Sequence, residues 1–380
     1  MKNLADSRIL IVDDVKANID VLVNALRDDY KLTVALDGTA ALRSVEKQSP
    51  DLVLLDIMMP GIDGYEVCRR LRAQEATREV PVMFLSALED VTNKARGFEV
   101  GGNDYLTKPF ELLEVKARVR SLLKAKAYAD AVREAMARDL RIAREIQMGI
   151  LPTDPASITK GTGLDVHAVI EPARQVGGDL YEVLRISDSR VVVALGDVSG
   201  KGIPAALFMA VAVTVLRTLA RQIEQPNEIL RRLNDELVEQ NPRGMFVTLQ
   251  CLVFDTKARR VLCAGAGHHQ LAVLAPNQPP RLACASTGRP IGLMPGNQIE
   301  CETIQLEPGE TFVLYSDGVS EAMNSRDDLY GEERFLAALS ATRDAGLADM
   351  LSHVLADVRV FADGAKQSDD ITMLAVRYAG

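Results

Sequence analysis

Three textures of apolar and polar positions follow one another along the chain. In residues 1–122, the aliphatic runs Ile9 to Val12, Leu52 to Leu55 and Val82 to Leu85 alternate with helical stretches. That alternation predicts a parallel sheet wrapped by helices. From Glu111 to Met148 there is neither glycine nor proline, and Ala, Leu, Arg, Lys and Glu dominate. This composition predicts one long helix of roughly 60 Å. Leu112, Val115, Val119, Leu122, Ala129, Met136, Leu140, Ala143 and Ile150 fall on three- and four-residue steps, interrupted by Lys126, Arg133 and Gln147. A seam with polar breaks predicts a coiled-coil helix that pairs with a second copy yet rearranges easily.

Beyond Pro152 the texture changes to short runs broken by Gly, Pro, Asn and Asp. Strands are predicted at Val166 to Ile170, Val191 to Leu195, Phe246 to Phe254, Arg260 to Ala264, Gln270 to Leu274 and Thr311 to Tyr315. Helices are predicted at Ala205 to Arg221, Pro226 to Gln240 and Leu347 to Phe361. The expectation is a multidomain α/β plus α+β chain: a doubly wound parallel domain over 1–122, a helical linker over 111–151, and packed antiparallel sheets flanked by helices over 152–380.

Length and charge narrow the function classes. At 380 residues the chain accommodates about two domains of ordinary size. A net charge of -9 speaks against a generally nucleic-acid-binding surface. Cys68, Cys251, Cys263, Cys284 and Cys301 form no CxxC pair and are scattered through apolar stretches, which predicts reduced core cysteines in a cytoplasmic protein. The start of the chain lacks a signal-peptide pattern. The most apolar stretch, Ala205 to Leu216, reads as a buried helix rather than a membrane span.

In a doubly wound sheet, chemistry gathers at the carboxyl ends of the strands. Those ends carry Asp13-Asp14, Asp56, Ser86 and Lys108. Carboxylates crowded there repel by about 4 kcal/mol per pair at about 4 Å, so the rim calls for a hard cation such as Mg²⁺. With Leu54-Leu55-Asp56-Ile57-Met58-Met59-Pro60-Gly61, Ser86-Ala87 and Lys108-Pro109-Phe110, the segment resembles a two-component receiver domain with a five-stranded sheet. The resemblance implies that Asp56 accepts a phosphoryl group from a sensor histidine kinase. Asp13, Asp14, Asp56 and the Met58 carbonyl would hold Mg²⁺, Ser86 and Lys108 would contact the phosphoryl oxygens, and Tyr105 would be the aromatic switch.

Carboxylates recur at strand ends of the second domain, most beside glycine: Gly177-Gly178-Asp179, Gly196-Asp197-Val198-Ser199-Gly200, Ser316-Asp317-Gly318 and Ser368-Asp369-Asp370. Carboxylates without His or Cys neighbours favour Mg²⁺ or Mn²⁺, and two such ions roughly 3.5 to 4 Å apart suit phosphoester hydrolysis. A single Asp-Gly turn is ordinary hairpin chemistry; four beside apolar strands carry more, with the turn-only reading still open. Together with Pro172-Ala173-Arg174-Gln175-Val176, Gly202-Ile203-Pro204, Ala266-Gly267-His268 and Gly288-Arg289-Pro290-Ile291-Gly292, these stretches resemble the bacterial PP2C-type (PPM) serine/threonine phosphatases of the sporulation and stress-response subgroup. That resemblance implies a β-sandwich with two Mn²⁺ or Mg²⁺ ions held by Asp179, Asp197, the Val198 carbonyl, Asp317 and Asp369, with Asp370 as the second choice beside Asp369. Arg174 and Lys201 are candidates for substrate phosphate. Glu182 departs from the family, whose members often carry Asp there. His268 and His269 fit either acid/base work or a turn held by hydrogen bonds.

Ala143 to Pro152 resembles the regulatory segment entering the phosphatase in stress-response members, so Gln147 would break the seam either by docking there or as a plain surface residue. The implied protein is a response regulator with a phosphatase output, opposed by a sigma-factor pathway kinase. Its substrate would be a phosphorylated anti-sigma-factor antagonist. It would work as a linker-paired homodimer without nucleic acid or membrane. The alternative is a non-catalytic sigma-factor-binding adaptor with a degenerate phosphatase-like domain.

Overall fold

The computed structural model describes residues 3–87, 96–239, 241 and 243–380. Two compact units divide the chain, Met1–Arg138 and Asp139–Gly380.

In the first unit, strands β1 (Arg8–Val12), β2 (Lys31–Ala35), β3 (Leu52–Asp56), β4 (Val82–Ala87) and β5 (Asp104–Lys108) form a parallel sheet in the order β2-β1-β3-β4-β5. Central β3 is buried along its whole length, as expected of a strand covered on both faces. Helices α1 (Lys16–Leu26), α2 (Gly38–Lys47) and α3 (Gly64–Ala73) connect the strands. Asp37 and Asp63 start α2 and α3 by accepting from the Ala40 and Glu66 amides at 2.7 Å, the N-capping role short acids favour. The long helix α4 runs Leu112–Ile150. Its first turns do not form a coiled-coil seam. Val115, Val119 and Leu123 are buried in the receiver-like core beside Ile9, Ile11, Leu54 and Leu106. The apolar stripe there is spent on the sheet because α4 itself closes one face of it. Lys126 and Arg133, predicted seam breaks, both pair with Asp130, at 3.0 and 3.6 Å.

The second unit is an antiparallel sandwich. One sheet has the order β13-β10-β9-β8-β7, from β7 (Leu180–Arg185), β8 (Arg190–Val198), β9 (Val247–Asp255), β10 (Arg260–Ala266) and β13 (Glu302–Gln305). The other has the order β12-β11-β14-β15-β6, from β6 (Leu164–Glu171), β11 (Leu271–Leu274), β12 (Arg281–Ala283), β14 (Thr311–Tyr315) and β15 (Ile371–Tyr378). Phe254 and Phe312 meet edge to face between them, ring centroids 5.5 Å apart, in the centre of the larger core. A short α5 (Pro155–Thr159) leads into β6, and α6 (Ile203–Ala220) and α7 (Pro226–Glu239) pack with the first sheet. The predicted final residue of α7, Gln240, lies outside the described residues. Helix α6 has the length and apolar composition of a membrane span, yet Ala205, Met209, Ala212, Val213, Leu216 and Ala220 are buried in the core. A one-turn α8 (Asp317–Ser320) follows β14, and α9 (Gly331–Ala341) and α10 (Leu347–Ala362) cover the second sheet around Tyr315, Phe335 and Leu351.

Candidate functional site

The first unit's acidic rim forms where β1 and β3 end. The carboxylate oxygens of Asp13, Asp14 and Asp56 lie within 4.8 Å of one another. Lys108, at the end of β5, sets its Nζ 2.8 Å from Asp13 Oδ2 and 2.9 Å from Asp56 Oδ2. One ammonium contacts two of the three carboxylates, Asp13 and Asp56, and burial pushes the Asp56 pKa up despite Lys108 and the Met58 amide, which pull it down. This donor set fits a hard divalent ion. Asn18, which sequence reading missed, donates to both oxygens of Asp13 at 3.0 and 3.1 Å. Ser86 stands at the same end of the sheet, next to Leu85, which pairs with Asp56. The Met58 side chain is exposed, and its backbone amide hydrogen-bonds to Asp56. Tyr105 is buried, its ring beside Phe84 and Phe98, and burial pushes its phenol up to about 12.

In the second unit four segments bring acids together: Asp179 before β7, Asp197 late in β8, Asp317 after β14, and Asp369-Asp370 before β15. Asp179 Oδ2 accepts from Ser316 Oγ at 2.8 Å and from Thr372 Oγ1, neither singled out from the sequence. Burial first, then Asp197, pushes the Asp179 pKa well up. Asp197 rises to about 7 through burial and then the charges of Asp317, Asp369 and Asp370. Asp317 Oδ1 is buried and has no hydrogen-bond partner among the described residues. An orphaned carboxylate oxygen amid mutually repelling carboxylates is what a cation site leaves behind when only protein atoms are counted. The residues therefore fit divalent ions.

The neighbouring aspartates differ in their contacts. Asp370 spends both oxygens on backbone, accepting from the Ala173 amide at 2.8 Å and the Gly178 amide at 2.8 Å. Asp369 Oδ2 instead accepts from Lys201 Nζ at 2.8 Å. A side chain at Gly178 would put its Cβ 2.6 Å from the Val198 carbonyl oxygen and 3.0 Å from Asp197 Oδ1, so only glycine lets this loop approach the cluster. Of the two phosphate candidates, Lys201 sits in the cluster, whereas Arg174 is exposed with no partner among the described residues. His268 is buried, holds Thr248 Oγ1 at 2.8 Å and the Tyr315 carbonyl at 3.0 Å, and is pushed down to about 3 by burial. These contacts are those of a neutral, turn-holding ring. His269 offers a ring nitrogen close to Asp317 and Glu321.

The end of α4 closes on this loop. Gln147 is buried: its Nε2 donates to the Gly177 carbonyl at 2.7 Å, and its Oε1 accepts from the Gly177 amide at 3.2 Å. Arg217 of α6 bonds both Glu182 and the Ile150 carbonyl, and Tyr181 donates to the Pro152 carbonyl at 2.7 Å. Thus the longer Glu182 reaches an arginine that sequence reading had not paired with it.

Comparison with known proteins follows the same division. Residues 187–379 match the family model of stage II sporulation protein E (SpoIIE), and residues 9–120 match that of the response regulator receiver domain. Asp197, Asp317 and Asp369 fall inside the first match; Asp179 lies ahead of it. The chain is similar to the response regulator PleD of Caulobacter vibrioides (41% identity over 36% of this chain and 30% of that protein). It is also similar to protein IcfG of Synechocystis sp. (25% identity over 97% of this chain and 58% of that protein), so it spans about a third to just over half the length of these relatives. The SiaA-PP2C domain of Pseudomonas aeruginosa shares the fold, with a TM-score of 0.59 and 23% identity over 65% of this chain and 99% of that one.

Proposed function

The chain belongs to the SpoIIE family, with a receiver domain ahead of a PP2C-type phosphatase domain, and from that premise we propose that phosphorylation of Asp56 controls a metal-dependent protein serine/threonine phosphatase. The single observation that carries the enzymatic reading is the buried, partnerless Asp317 Oδ1 within a set of aspartates that burial and mutual repulsion disturb. A non-catalytic adaptor would have no reason to keep so costly a cluster.

In this reading Asp179, Asp197, Asp317, Asp369 and the Val198 carbonyl hold two Mn²⁺ or Mg²⁺ ions, and Asp13, Asp14, Asp56 and the Met58 carbonyl hold one Mg²⁺. Bound divalent ions supply Lewis acidity toward phosphoryl oxygens and lower the pKa of water. Asp370 fixes the 173–178 loop and thereby aims Asp179, while Ser316 and Thr372 hold Asp179 by one oxygen. Lys201, ion-paired with Asp369, would be the group that meets a substrate phosphate. In the receiver, Asp56 takes the phosphoryl group from a histidine kinase, Lys108 moves its ion pair to the new oxygens, and Ser86 donates to them.

The signal would run through α4. Gln147 grips Gly177, two residues before Asp179, so a shift of the helix end changes the loop that carries a ligand. Moving the output from mostly off to mostly on takes about 5.5 kcal/mol of differential binding, within reach of a phosphoryl group acting with pairing of α4 in a homodimer. The proposed substrate is a phosphoserine or phosphothreonine on an anti-sigma-factor antagonist, in the cytoplasm. Mn²⁺-dependent hydrolysis of p-nitrophenyl phosphate by the full chain and its Asp197→Ala variant tests the enzymatic reading. Turnover by the parent and none by the variant is expected; no metal-dependent turnover with the receiver either phosphorylated or not would replace the enzyme by the adaptor.

A further inference from the structure

Four of the five cysteines, scattered along the sequence, lie on or next to strands of the sandwich, two of them in mid-strand on the neighbouring β9 and β10. Cys251 lies in β9, Cys263 in β10, Cys284 just after β12, and Cys301 just before β13. Cys263 Sγ, Cys284 Sγ and a carboxylate oxygen of Glu302 all lie within 4.8 Å of one another. The two sulfurs are buried and the carboxylate is exposed, which gives the cluster a solvent-facing mouth. β13 is the edge strand of its sheet, so nothing in that sheet covers Glu302 from outside.

The arrangement is held in place. Glu302 pairs in register with Cys263 across the two strands, and its Oε2 accepts from the Cys284 amide at 3.1 Å. Gln250 Nε2 fixes the Cys284 carbonyl at 2.8 Å. Cys284 itself sits at φ 58°, a left-handed backbone that a non-glycine residue adopts only when its surroundings impose it.

The geometry points to a thiolate-carboxylate metal site, Cys263-Cys284-Glu302, for a borderline-soft divalent ion of the Zn²⁺ class. A tetrahedral ion at about 2.3 Å from each sulfur sets the sulfurs about 3.8 Å apart, a spacing the cluster accommodates. Two sulfurs and one oxygen exclude Mg²⁺ by softness, so this site is chemically separate from the all-oxygen clusters. Binding releases one proton from each thiol to solvent. Three protein ligands leave a fourth position for water; the Sγ of Cys301 and that of Cys263 both donate to the Glu302 carbonyl at 3.7 Å. The ligands Cys284 and Glu302 flank the irregular segment 285–301, which carries the Gly288-to-Ile291 turn bridging to Gly265 and Val247. An ion there would rivet the base of that segment to β10.

The test is titration of the full chain, reduced and stripped of metal, with Cd²⁺ in excess Mg²⁺. Cd²⁺ reports thiolate ligands by a charge-transfer absorption that carboxylate sites do not give. The expected result is a band that saturates at one equivalent, is abolished by Cys263→Ser, and shifts to about tenfold or higher Cd²⁺ concentration in Glu302→Ala. Glu302 is exposed, so that variant keeps the fold should Cys263→Ser fail to. Mn²⁺-dependent phosphatase turnover should be unchanged in Glu302→Ala. No band at stoichiometric Cd²⁺, a band indifferent to both substitutions, or a Cys263–Cys284 disulfide found by counting thiols before reduction would overturn the assignment.

Discussion

Replacing Gln147 by leucine separates a gate from a mere anchor at the end of α4. The substitution keeps the buried volume but removes both bonds to Gly177, leaving a buried amide and a buried carbonyl without their partner. Each such loss costs about 1–3 kcal/mol. The helix end stays docked because Arg217 still holds the Ile150 carbonyl and Tyr181 the Pro152 carbonyl. The penalty therefore falls on the loop from Ala173 to Gly178, which Asp370 alone would then brace. If about 2 kcal/mol must be repaid when metal orders that loop, the half-saturating Mn²⁺ concentration rises about 30-fold. Titrating Mn²⁺ against p-nitrophenyl phosphate turnover measures it, with thermal unfolding run in parallel. A variant that melts lower yet keeps the parent's Mn²⁺ dependence would refute the coupling and leave Gln147 as packing only.

Other consequences follow from the same contacts. Gly178→Ala should abolish Mn²⁺-dependent turnover while leaving circular dichroism unchanged, because the new methyl meets the Val198 carbonyl and Asp197. Arg217→Met leaves the buried Glu182 carboxylate alone; with the arginine about a third exposed, a loss of about 2–3 kcal/mol in urea unfolding is expected. In the chelated protein the Asp179 and Asp197 pKa values lie above those of an unfolded aspartate, so their contribution to stability is full below about pH 4 and is lost as pH rises through the folded values, which for Asp197 is about 7. Discounted for partial exposure and coupling, Asp197 is worth on the order of 2 kcal/mol, or about 5 °C in melting temperature between pH 5 and 8. Scanning fluorimetry with chelator should show that fall, and Mn²⁺ should flatten it.

The strand-end carboxylates were legible because their signal is local: an aliphatic run that stops at aspartate marks both the sheet and its chemistry. Fold class followed from the same alternation, and the glycine-free span marked α4. Legibility ended where partners are distant in sequence. Arg217 meets Glu182 and Ile150 only through the packing of α6; Asn18, by contrast, is close in sequence to Asp13, but no motif marks its place in the first turn of α1. The apolar stripe of α4 showed which residues want burial but not where; Val115 and Val119 satisfied it within their own domain instead of against a second helix. Strands β7 and β15 went unread because their metal-site flanks, Gly177 to Asp179 and Ser368 to Thr372, drew attention to turn chemistry at the expense of the buried runs beyond them. The cysteines showed no motif because sheet pairing, not spacing, brings them together.

Control of the output by the receiver is tested most directly by Mn²⁺-dependent hydrolysis of p-nitrophenyl phosphate by the full chain with and without a small phosphodonor, in the parent and in Asp56→Ala. The account predicts a change in turnover on phosphorylation in the parent and none in Asp56→Ala, which should retain the unphosphorylated parent's rate. Equal responses of the two proteins to the phosphodonor, or no response in the parent, would contradict it.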